Sequence, residues 1–257
     1  MIPEAVTQLS PRPVRRATLL QNWNDVTFLH WPVDPARVTK FFPDGTWPDT
    51  ADGVTYVGLV LFKMERVRLP GEPGLPYLRT FCETNVRLYS VDKSGRRGVV
   101  FRSLDAERLP PVLVGRFGAR LPYSWSKMRL SRRRDNVAYT SQRRWFGARS
   151  ASARALVSVR ERLGDPSPLE HFLTARWGLH VRWRGRTVYL PNEHGEWPLH
   201  RAKLLALDEN LVEAAGIARP AGPPVSVLYS PGVTVRFGFP AVEVAETFSG
   251  LTAKCLR

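Results

Sequence analysis

The chain has 257 residues, of which 43% are hydrophobic and 24% are charged, a balance typical of a globular protein with a sizeable core. No apolar stretch approaches the length of a membrane span, and the first residues carry prolines and arginines instead of the apolar centre of a signal peptide. The two cysteines, Cys82 and Cys255, argue against a disulfide framework. These features predict no membrane partner and a reducing, cytoplasmic location.

The net charge of +15 raises the question of a nucleic-acid partner. The charge comes mainly from arginine, since the chain has only six lysines. The densest cluster is Arg129–Arg134, followed by Arg143, Arg144 and Arg149. No helix-turn-helix, zinc-finger or RNA-recognition signature accompanies it, so we expect a solvated basic face and keep a nucleic-acid partner only as the less favoured alternative.

The N-terminal part of the chain begins with a predicted arm over residues 1–17, which we expect to be flexible. A single domain is predicted over residues 18–257. Val54–Val67 and Phe81–Val91 have the β-branched and aromatic content of strands. The turn residues Asp92–Gly95 then predict a hairpin back through Gly98–Ser103.

The middle of the chain is predicted to hold one helix and one strand pair. Asp105 can cap a helix that runs to about Arg120, with two prolines near its first turn. Asn136–Arg144 and Ser152–Arg160 then predict an antiparallel pair.

The C-terminal third predicts two short helices and two hairpins. Ser167 resembles an N-cap of a helix that ends near Gly178, and Asp208–Ala215 predicts a further short helix. The hairpins are predicted where short strands flank turn residues: Val181–Trp183 with Thr187–Leu190, and Val225–Tyr229 with Val233–Phe237 around Ser230-Pro231-Gly232.

Many strands, few helices and no alternation of strand and helix indicate a mainly β (α+β) protein. The architecture that we expect is an antiparallel β-barrel, closed or nearly closed, with a few covering helices.

Glu83, Asn85 and Arg87 are the most informative polar residues, because alternation along a strand puts all three on one face. Such a row inside a barrel could bind a carboxylate through Arg87 and leave Glu83 as a general acid or base. The alternative interpretation is that this face is the solvent side of an amphipathic strand. The sequence leaves both open.

Tyr123, Trp125 and Lys127 form a second candidate group. The two aromatic side chains could wall a pocket, and Lys127 could approach it, although a lysine beside aromatic surface is more often a snorkelling side chain. The five histidines show no metal-ligand spacing, and no phosphate- or dinucleotide-binding loop is present. We therefore predict no metal and no cofactor.

Several segments together resemble the uncharacterised YqjF family, a domain of unknown function that is similar to the acetoacetate decarboxylase superfamily. The resemblance extends over about residues 18–240. The segments that carry it are Asn22-Trp23 through His30-Trp31-Pro32-Val33-Asp34-Pro35, Asp52-Gly53, Glu83–Arg87, Gly98–Ala106, Leu121-Pro122-Tyr123 and Trp197-Pro198-Leu199.

This resemblance implies a cone-shaped β-barrel of the acetoacetate decarboxylase type, with an internal cavity that Glu83, Asn85 and Arg87 face. In those decarboxylases a lysine with a lowered pKa forms a Schiff base, a case that general accounts of nucleophilic catalysis use as an example. Their lysine pair follows a Phe-Pro step. Here Leu121-Pro122 is followed by Tyr123, and Lys127, four residues later, does not match.

Three functions are compatible with these observations. The first is a lyase-like enzyme acting on a small carboxylate or carbonyl compound, with Glu83, Tyr123 and Lys127 as candidate catalytic residues. Arg87, Asn85 and Trp125 are the candidate ligand-binding residues. The second is a non-catalytic binder of a small anionic or aromatic ligand. The third is a nucleic-acid or interaction protein that uses the basic surface, and a homo-oligomer is left open.

Overall fold

The structure, a computed structural model, describes residues 2–74, 80–144 and 150–242, so that Arg149 and Cys255 lie outside it. Its described strands are, in chain order, β1 (Leu19–Val33), β2 (Thr46–Pro48), β3 (Thr55–Arg68), β4 (Thr80–Asp92), β5 (Arg97–Ala106), β6 (Tyr123–Arg133), β7 (Asn136–Arg143), β8 (Ser152–Arg162), β9 (Gly178–Trp183), β10 (Arg186–His194), β11 (His200–Glu209), β12 (Ser226–Phe237) and β13 (Ala241–Val242).

The helices of the described residues are short. They are α1 (Pro35–Val38) with a 3₁₀ turn (Thr39–Phe41), α2 (Leu109–Leu113) with a π turn (Val114–Gly118), α3 (Pro168–Thr174) and α4 (Leu211–Ala214). None of the helices in this part of the chain is long and apolar enough to cross a membrane.

The strands close into a ring, as expected for a mainly β protein of the acetoacetate decarboxylase type. Following the pairings, β5, β6, β7, β8, β11, β12, β1, β3 and β4 lead around and back to β5. Strands β9 and β10 connect β5 with β12 by a second route, so that β12, β1, β3, β4 and β5 belong to two rings. The two pairings of β5 with β6 and with β9 are parallel, whereas the other pairings are antiparallel.

β3, one of the shared strands, is buried on both faces from Thr55 to Phe62, because a different cluster packs on each side. On β3, Leu59 and Leu61 belong to the cluster that includes β7 and β8. Val60 and Phe62 belong to a second cluster, on the side of α2 and the loop at Trp197. Alternation of side chains along the strand accounts for this division.

The predicted hairpin of β4 and β5 and the predicted pairs β7–β8 and β9–β10 are confirmed. The Ser167 cap is also confirmed: its hydroxyl accepts from Glu170 N, and the Glu170 side chain accepts from Ser167 N. The helix ends at Thr174, earlier than predicted. The helix predicted from Asp208 begins only at Leu211, because Asp208 still pairs with β8 as part of β11.

The prediction that Asp105 caps a helix running to Arg120 was wrong. Asp105 lies in β5, where it pairs with Thr84 on one side and Ser124 on the other. Its carboxylate receives two hydrogen bonds from the Arg143 guanidinium, at 2.9 and 3.2 Å. The extended backbone persists to Ala106 because both strand edges are paired there, and the helix begins only at Leu109.

The predicted hairpin around Ser230-Pro231-Gly232 was also wrong. β12 runs straight through these residues and pairs with β1 on both sides of them. Gly232 has a φ of +140°, and a Cβ there would lie 2.2 Å from the Trp23 carbonyl oxygen. The glycine therefore permits a close approach of β12 to β1. Ser230-Pro231-Gly232 has the composition of a turn, but here it forms an irregularity within β12.

The N-terminal arm, described from residue 2, has no helix or strand, yet it makes specific contacts. Glu4 N donates to Gly95 O at 2.9 Å, and the Glu4 carboxylate accepts from Arg97 N. Further along, Val14 is buried, and its N–H donates to Glu193. These contacts join the arm to the β4–β5 turn and to β10.

Candidate functional site

Glu83, Asn85 and Arg87 lie on one face of β4 and are all buried, with 3%, 3% and 6% of their surface exposed. This is the face that carries Phe62 on β3, because Phe62 pairs with Glu83. The side chains therefore lie inside the protein, where α2, α3 and the Trp197 loop enclose them. We use the name Glu83 chamber for this cluster of polar side chains, which consists of Glu83, Asn85, Arg87, Tyr123 and His194.

Glu83 is the acidic group of the chamber. The pKa of its carboxyl is raised to about 8, mainly by burial and also by the nearby Asp105, whereas hydrogen bonds with Tyr123 and Asn85 oppose the shift. A carboxyl with this pKa is mostly protonated at neutral pH and can donate a hydrogen bond or a proton.

Tyr123 reaches this acid from β6. Its hydroxyl donates to Glu83 Oε2 at 3.1 Å, and burial raises the pKa of the phenol well above its ordinary value. The position of the ring depends on Gly115, since a Cβ there would lie 2.4 Å from Tyr123 Cδ2. The π turn that follows α2 thus packs its glycine directly on the phenol.

Arg87 supplies a buried positive charge without a carboxylate partner among the described residues. Its guanidinium donates to Leu173 O at 2.9 Å and to Tyr89 Oη at 3.2 Å, and it lies 5.5 Å from the centre of the Phe28 ring. Buried charged groups are usually paired, because removing an ion from water costs several kcal/mol.

Aromatic residues form the wall beside Arg87. The His194 ring lies 4.5 Å from that of Trp177 and 4.8 Å from that of Trp197, and Trp197 packs edge-on against Phe28. The pKa of His194 is lowered to about 4, mainly by burial and also by the charge of Arg87, against the opposing effect of its hydrogen bond with Gly195 O. His194 is therefore neutral at physiological pH and does not compete with Arg87 for an anion.

Two polar atoms in and beside the chamber have no hydrogen-bond partner in the part of the chain that the structure describes. They are Asn85 Oδ1 and, in the aromatic wall, Trp177 Nε1, and both are fully buried. A buried polar group without a partner costs about 1–3 kcal/mol. Together they provide one acceptor and one donor that a bound molecule or a water could satisfy.

Of the other two candidates, the structure separates Lys127 from this group, whereas Trp125 packs on the same hydrophobic cluster as Tyr123. Lys127 is exposed on β6, and no lysine among the described residues is buried. Lys63, which is partly buried, binds Glu65 at 2.8 Å. Trp125 follows Tyr123 on the same face, but its indole N–H donates to Glu107 O at 3.1 Å. The chamber therefore unites Glu83, Asn85, Arg87 and Tyr123, while Lys127 lies outside it.

Sequence reasoning did not identify His30, Tyr89, Trp177 and His194 as residues of this region. His30 Nε2 lies 2.8 Å from Tyr89 Oη, which itself donates to Leu173 O at 2.8 Å. The alternation Glu83, Asn85, Arg87, Tyr89 could have indicated the tyrosine. No sequence pattern indicates the histidines, because β1 and β10 approach β4 only through the closure of the two rings.

The described residues contain no group of three His, Cys, Asp or Glu side chains that could hold a metal ion. The basic cluster predicted at Arg129–Arg134 is exposed at the β6–β7 hairpin from Arg132 to Arg134, and Arg132 binds Asp25 at 3.0 Å.

Comparison with known proteins identifies both relatives and structural neighbours. A model of the DUF2071 family, described as an uncharacterized conserved protein, matches residues 20–234. The uncharacterized protein YqjF of Bacillus subtilis (strain 168) is 30% identical over 205 residues, which cover 80% of this chain and 84% of that protein.

Three solved structures show the same fold at low sequence identity. The enduracididine biosynthesis enzyme MppR, solved in complex with pyruvate, matches with a TM-score of 0.60 and 15% identity, covering 91% of this chain and 93% of MppR. An acetoacetate decarboxylase-like enzyme from Sphingomonas wittichii RW1 matches with a TM-score of 0.60 and 14% identity, covering 91% of this chain and 96% of that enzyme. Acetoacetate decarboxylase from Legionella pneumophila matches with a TM-score of 0.57 and 16% identity, covering 92% of each chain.

Proposed function

We propose that this chain, which belongs to the DUF2071 family, binds a small organic carboxylate that also carries a carbonyl or hydroxyl oxygen in the Glu83 chamber. Arg87 holds the carboxylate in this proposal. Protonated Glu83 donates to the second oxygen, and Asn85 bridges the space between them.

The observation that carries the proposal is the buried guanidinium of Arg87, which lacks a carboxylate partner among the described residues. The next cation, Arg176, is also buried, but it pairs with Asp49. An incoming carboxylate would give Arg87 the bidentate ion pair that no described side chain supplies. Since Glu83 and His194 are both neutral near pH 7, neither cancels this charge.

The spacing along β4 limits the ligand. Glu83 and Arg87 are four residues apart on one strand, so their backbones are separated by roughly 13 Å. A ligand that contacts both side chains directly needs a carbon chain longer than that of pyruvate, or an intervening water at Asn85. Affinity is therefore expected to rise with chain length in a series of 2-oxo acids.

Proton transfer is the chemistry that the chamber supports best. The Glu83 carboxyl can give its proton to a ligand carbonyl oxygen, and Tyr123 can donate to the oxygen on which negative charge develops. The structural neighbour MppR was solved with pyruvate and with a condensation product of pyruvate, which supports a carbonyl-containing acid as the ligand class. Imine formation has no support here, because the lysines of the described chain lie outside the chamber.

The second candidate function is non-catalytic binding of the same ligand class. The placement of Lys127 outside the chamber favours it, because Arg87, Asn85 and the aromatic wall suffice for binding without a nucleophile. Both functions require an anionic ligand. Only the enzyme would convert that ligand, so a turnover assay distinguishes the two.

The test is calorimetric titration of the wild-type protein at pH 6.5 with 2-oxo acids of three to eight carbons and with their neutral methyl esters. The acids are expected to bind, and the esters at least roughly tenfold more weakly, since the charged hydrogen bonds to Arg87 are lost. Arg87→Gln is expected to reduce acid affinity similarly, whereas Arg133→Gln, an exposed arginine of the β6–β7 hairpin, serves as the matched control.

Equal affinity of acids and esters, or no binding across the series, would contradict the proposal even if Arg87→Gln failed to fold. For ligands that bind, exchange of the protons next to the carbonyl in deuterated water is followed by NMR. Exchange that disappears in Glu83→Gln indicates catalysis, whereas binding without exchange indicates a binder.

A further inference from the structure

A second possible ligand site lies where β5 changes its neighbour. Along one edge, β5 pairs with β9 at Val99 and with β6 from Leu104 to Ala106, and both partners run parallel to it. The pairings leave residues 100–103 without a strand partner on that edge. The two parallel strands diverge there, and a cleft of about 320 Å³ opens between them.

Four cationic side chains line this cleft, and no acidic residue is among the lining residues. They are Lys40, Arg102, Arg120 and Arg182. Lys40, Arg120 and Arg182 are exposed, whereas Arg102 is partly buried. Like charges gathered in one concave site repel one another and attract an anion, because the low-dielectric walls focus their field.

Arg102 is positioned at the base of this cluster. Its guanidinium stacks 4.0 Å from the centre of the Phe41 ring, and it donates to Ala215 O at 3.0 Å from Nη2 and at 3.3 Å from Nε. No carboxylate pairs with it among the described residues. The ring and the carbonyl therefore fix the orientation of the planar donor fork without neutralising its charge.

The remaining cations are close enough to join it but are weakly held. Lys40 Nζ lies 5.2 Å from the same Phe41 ring. Arg182 pairs with Asp44 at 2.9 Å, but both side chains are mostly exposed, 60% and 85%. An exposed pair of this kind contributes little, and its arginine can turn to a better acceptor.

The cleft also has an apolar wall, formed by Phe101, Leu121, Pro122 and Val181. From these features we propose that it binds a phosphate monoester with an apolar or aromatic body. The phosphate would accept hydrogen bonds from Arg102, Arg120 and Arg182, and the body would lie against Phe101 and Leu121. A phosphate is favoured over a carboxylate because it carries nearly two negative charges and three acceptor oxygens, which match several converging cations.

This site is distinct from the Glu83 chamber, because none of the residues that line the cleft belongs to the chamber. The two regions are neighbours, since Phe101 of the cleft pairs with Arg87 across β5 and β4. The proposal therefore stands or falls independently of carboxylate binding at Arg87.

The experiment is calorimetric titration of the full chain in chloride buffer with phenyl phosphate, inorganic phosphate and benzoate at constant ionic strength. Phenyl phosphate is expected to bind more tightly than inorganic phosphate, because its ring gains apolar contact, and more tightly than benzoate, because its charge is larger. Arg102→Gln and Arg182→Gln are each expected to weaken phenyl phosphate binding at least roughly fivefold.

Arg133→Gln removes the same charge from an exposed position at the β6–β7 hairpin and is the matched control. Arg182 is itself exposed, so its substitution tests the site even if Arg102→Gln disturbs the packing on Phe41. Absence of phenyl phosphate binding, benzoate binding as tightly as phenyl phosphate, or an equal loss in Arg133→Gln and Arg182→Gln would overturn the proposal.

Discussion

The hydroxyl of Tyr123 lies 3.1 Å from Glu83 Oε2, although the two residues are 40 positions apart and lie on strands separated by β5. The contact crosses β5 on the face that packs against α2 and the Trp197 loop, and it leaves the acid buried between a phenol and an amide. The pKa of Glu83, raised to about 8, follows mainly from this burial. The protonation state of Glu83 is thus set by the packing of strands that are distant in the sequence.

Glu83→Gln is expected to change how stability depends on pH. A buried acid whose pKa is raised from 4.5 to about 8 stabilises the fold fully below pH 4.5, and the contribution is lost as pH rises through 8. Wild-type stability should therefore fall relative to Glu83→Gln by roughly 1.4 kcal/mol per pH unit within this interval. Urea unfolding of both proteins at pH 5, 6.5, 8 and 9 measures the difference.

Other titrating groups are common to both proteins, so the difference between the two curves isolates Glu83. A constant difference from pH 5 to pH 9 would show that Glu83 has the same pKa in the folded and unfolded states. The chamber would then be open to water.

Gly115→Ala is expected to destabilise the protein by about 1–3 kcal/mol, the usual cost of overpacking, because the new Cβ would lie 2.4 Å from the Tyr123 ring. Gly118→Ala, in the same π turn, is the control, since a Cβ there meets nothing within 4 Å. It should be neutral or stabilise by less than about 1 kcal/mol. Thermal unfolding compares the two, and equal effects would mean that the phenol does not pack on Gly115.

The pair of Asp105 and Arg143 is expected to be costly to break, because both side chains are at most 5% exposed. Asp105→Asn leaves a buried guanidinium without its counter-charge and should destabilise by about 3–5 kcal/mol. The double variant Asp105→Asn, Arg143→Met should lose less unfolding free energy than the two single variants together. Unfolding in guanidinium chloride measures these free energies.

The control for this pair is Glu161→Gln, which breaks an exposed pair with Arg201 whose side chains are 69% and 59% exposed. It should cost less than about 1 kcal/mol. If Asp105→Asn lowers the free energy of unfolding no more than Glu161→Gln does, water reaches the Arg143 guanidinium.

Treatment with pyruvate and borohydride is expected to leave the mass of the protein unchanged. Reductive trapping requires a neutral amine that meets the ligand, and hydrogen bonding to Glu65 raises the pKa of the partly buried Lys63 above its ordinary value. Mass spectrometry of the intact protein provides the measurement. A lysine adduct formed with pyruvate but not with acetate would restore imine chemistry as the mechanism.

Much of the fold followed from local patterns, and the errors occurred where distant strands decided the outcome. The β4–β5 hairpin and the Ser167 cap depend on neighbouring residues, so the sequence predicts them. Asp105 has the character of a helix cap, but pairing on both edges and the Arg143 guanidinium keep it in a strand. Ser230-Pro231-Gly232 has the composition of a turn, yet pairing with β1 draws it into one strand.

The sequence by itself determined that Glu83, Asn85 and Arg87 share a face, because alternation is a local property of an extended backbone. Only the tertiary structure decided that this face is enclosed, that Tyr123 reaches Glu83, and that Lys127 lies outside. The physical reason is that these side chains become buried only when strands far apart in the chain close into rings. That burial raises the pKa of Glu83 and removes the guanidinium of Arg87 from water. A side chain's surroundings are then set by residues that its own segment does not contain.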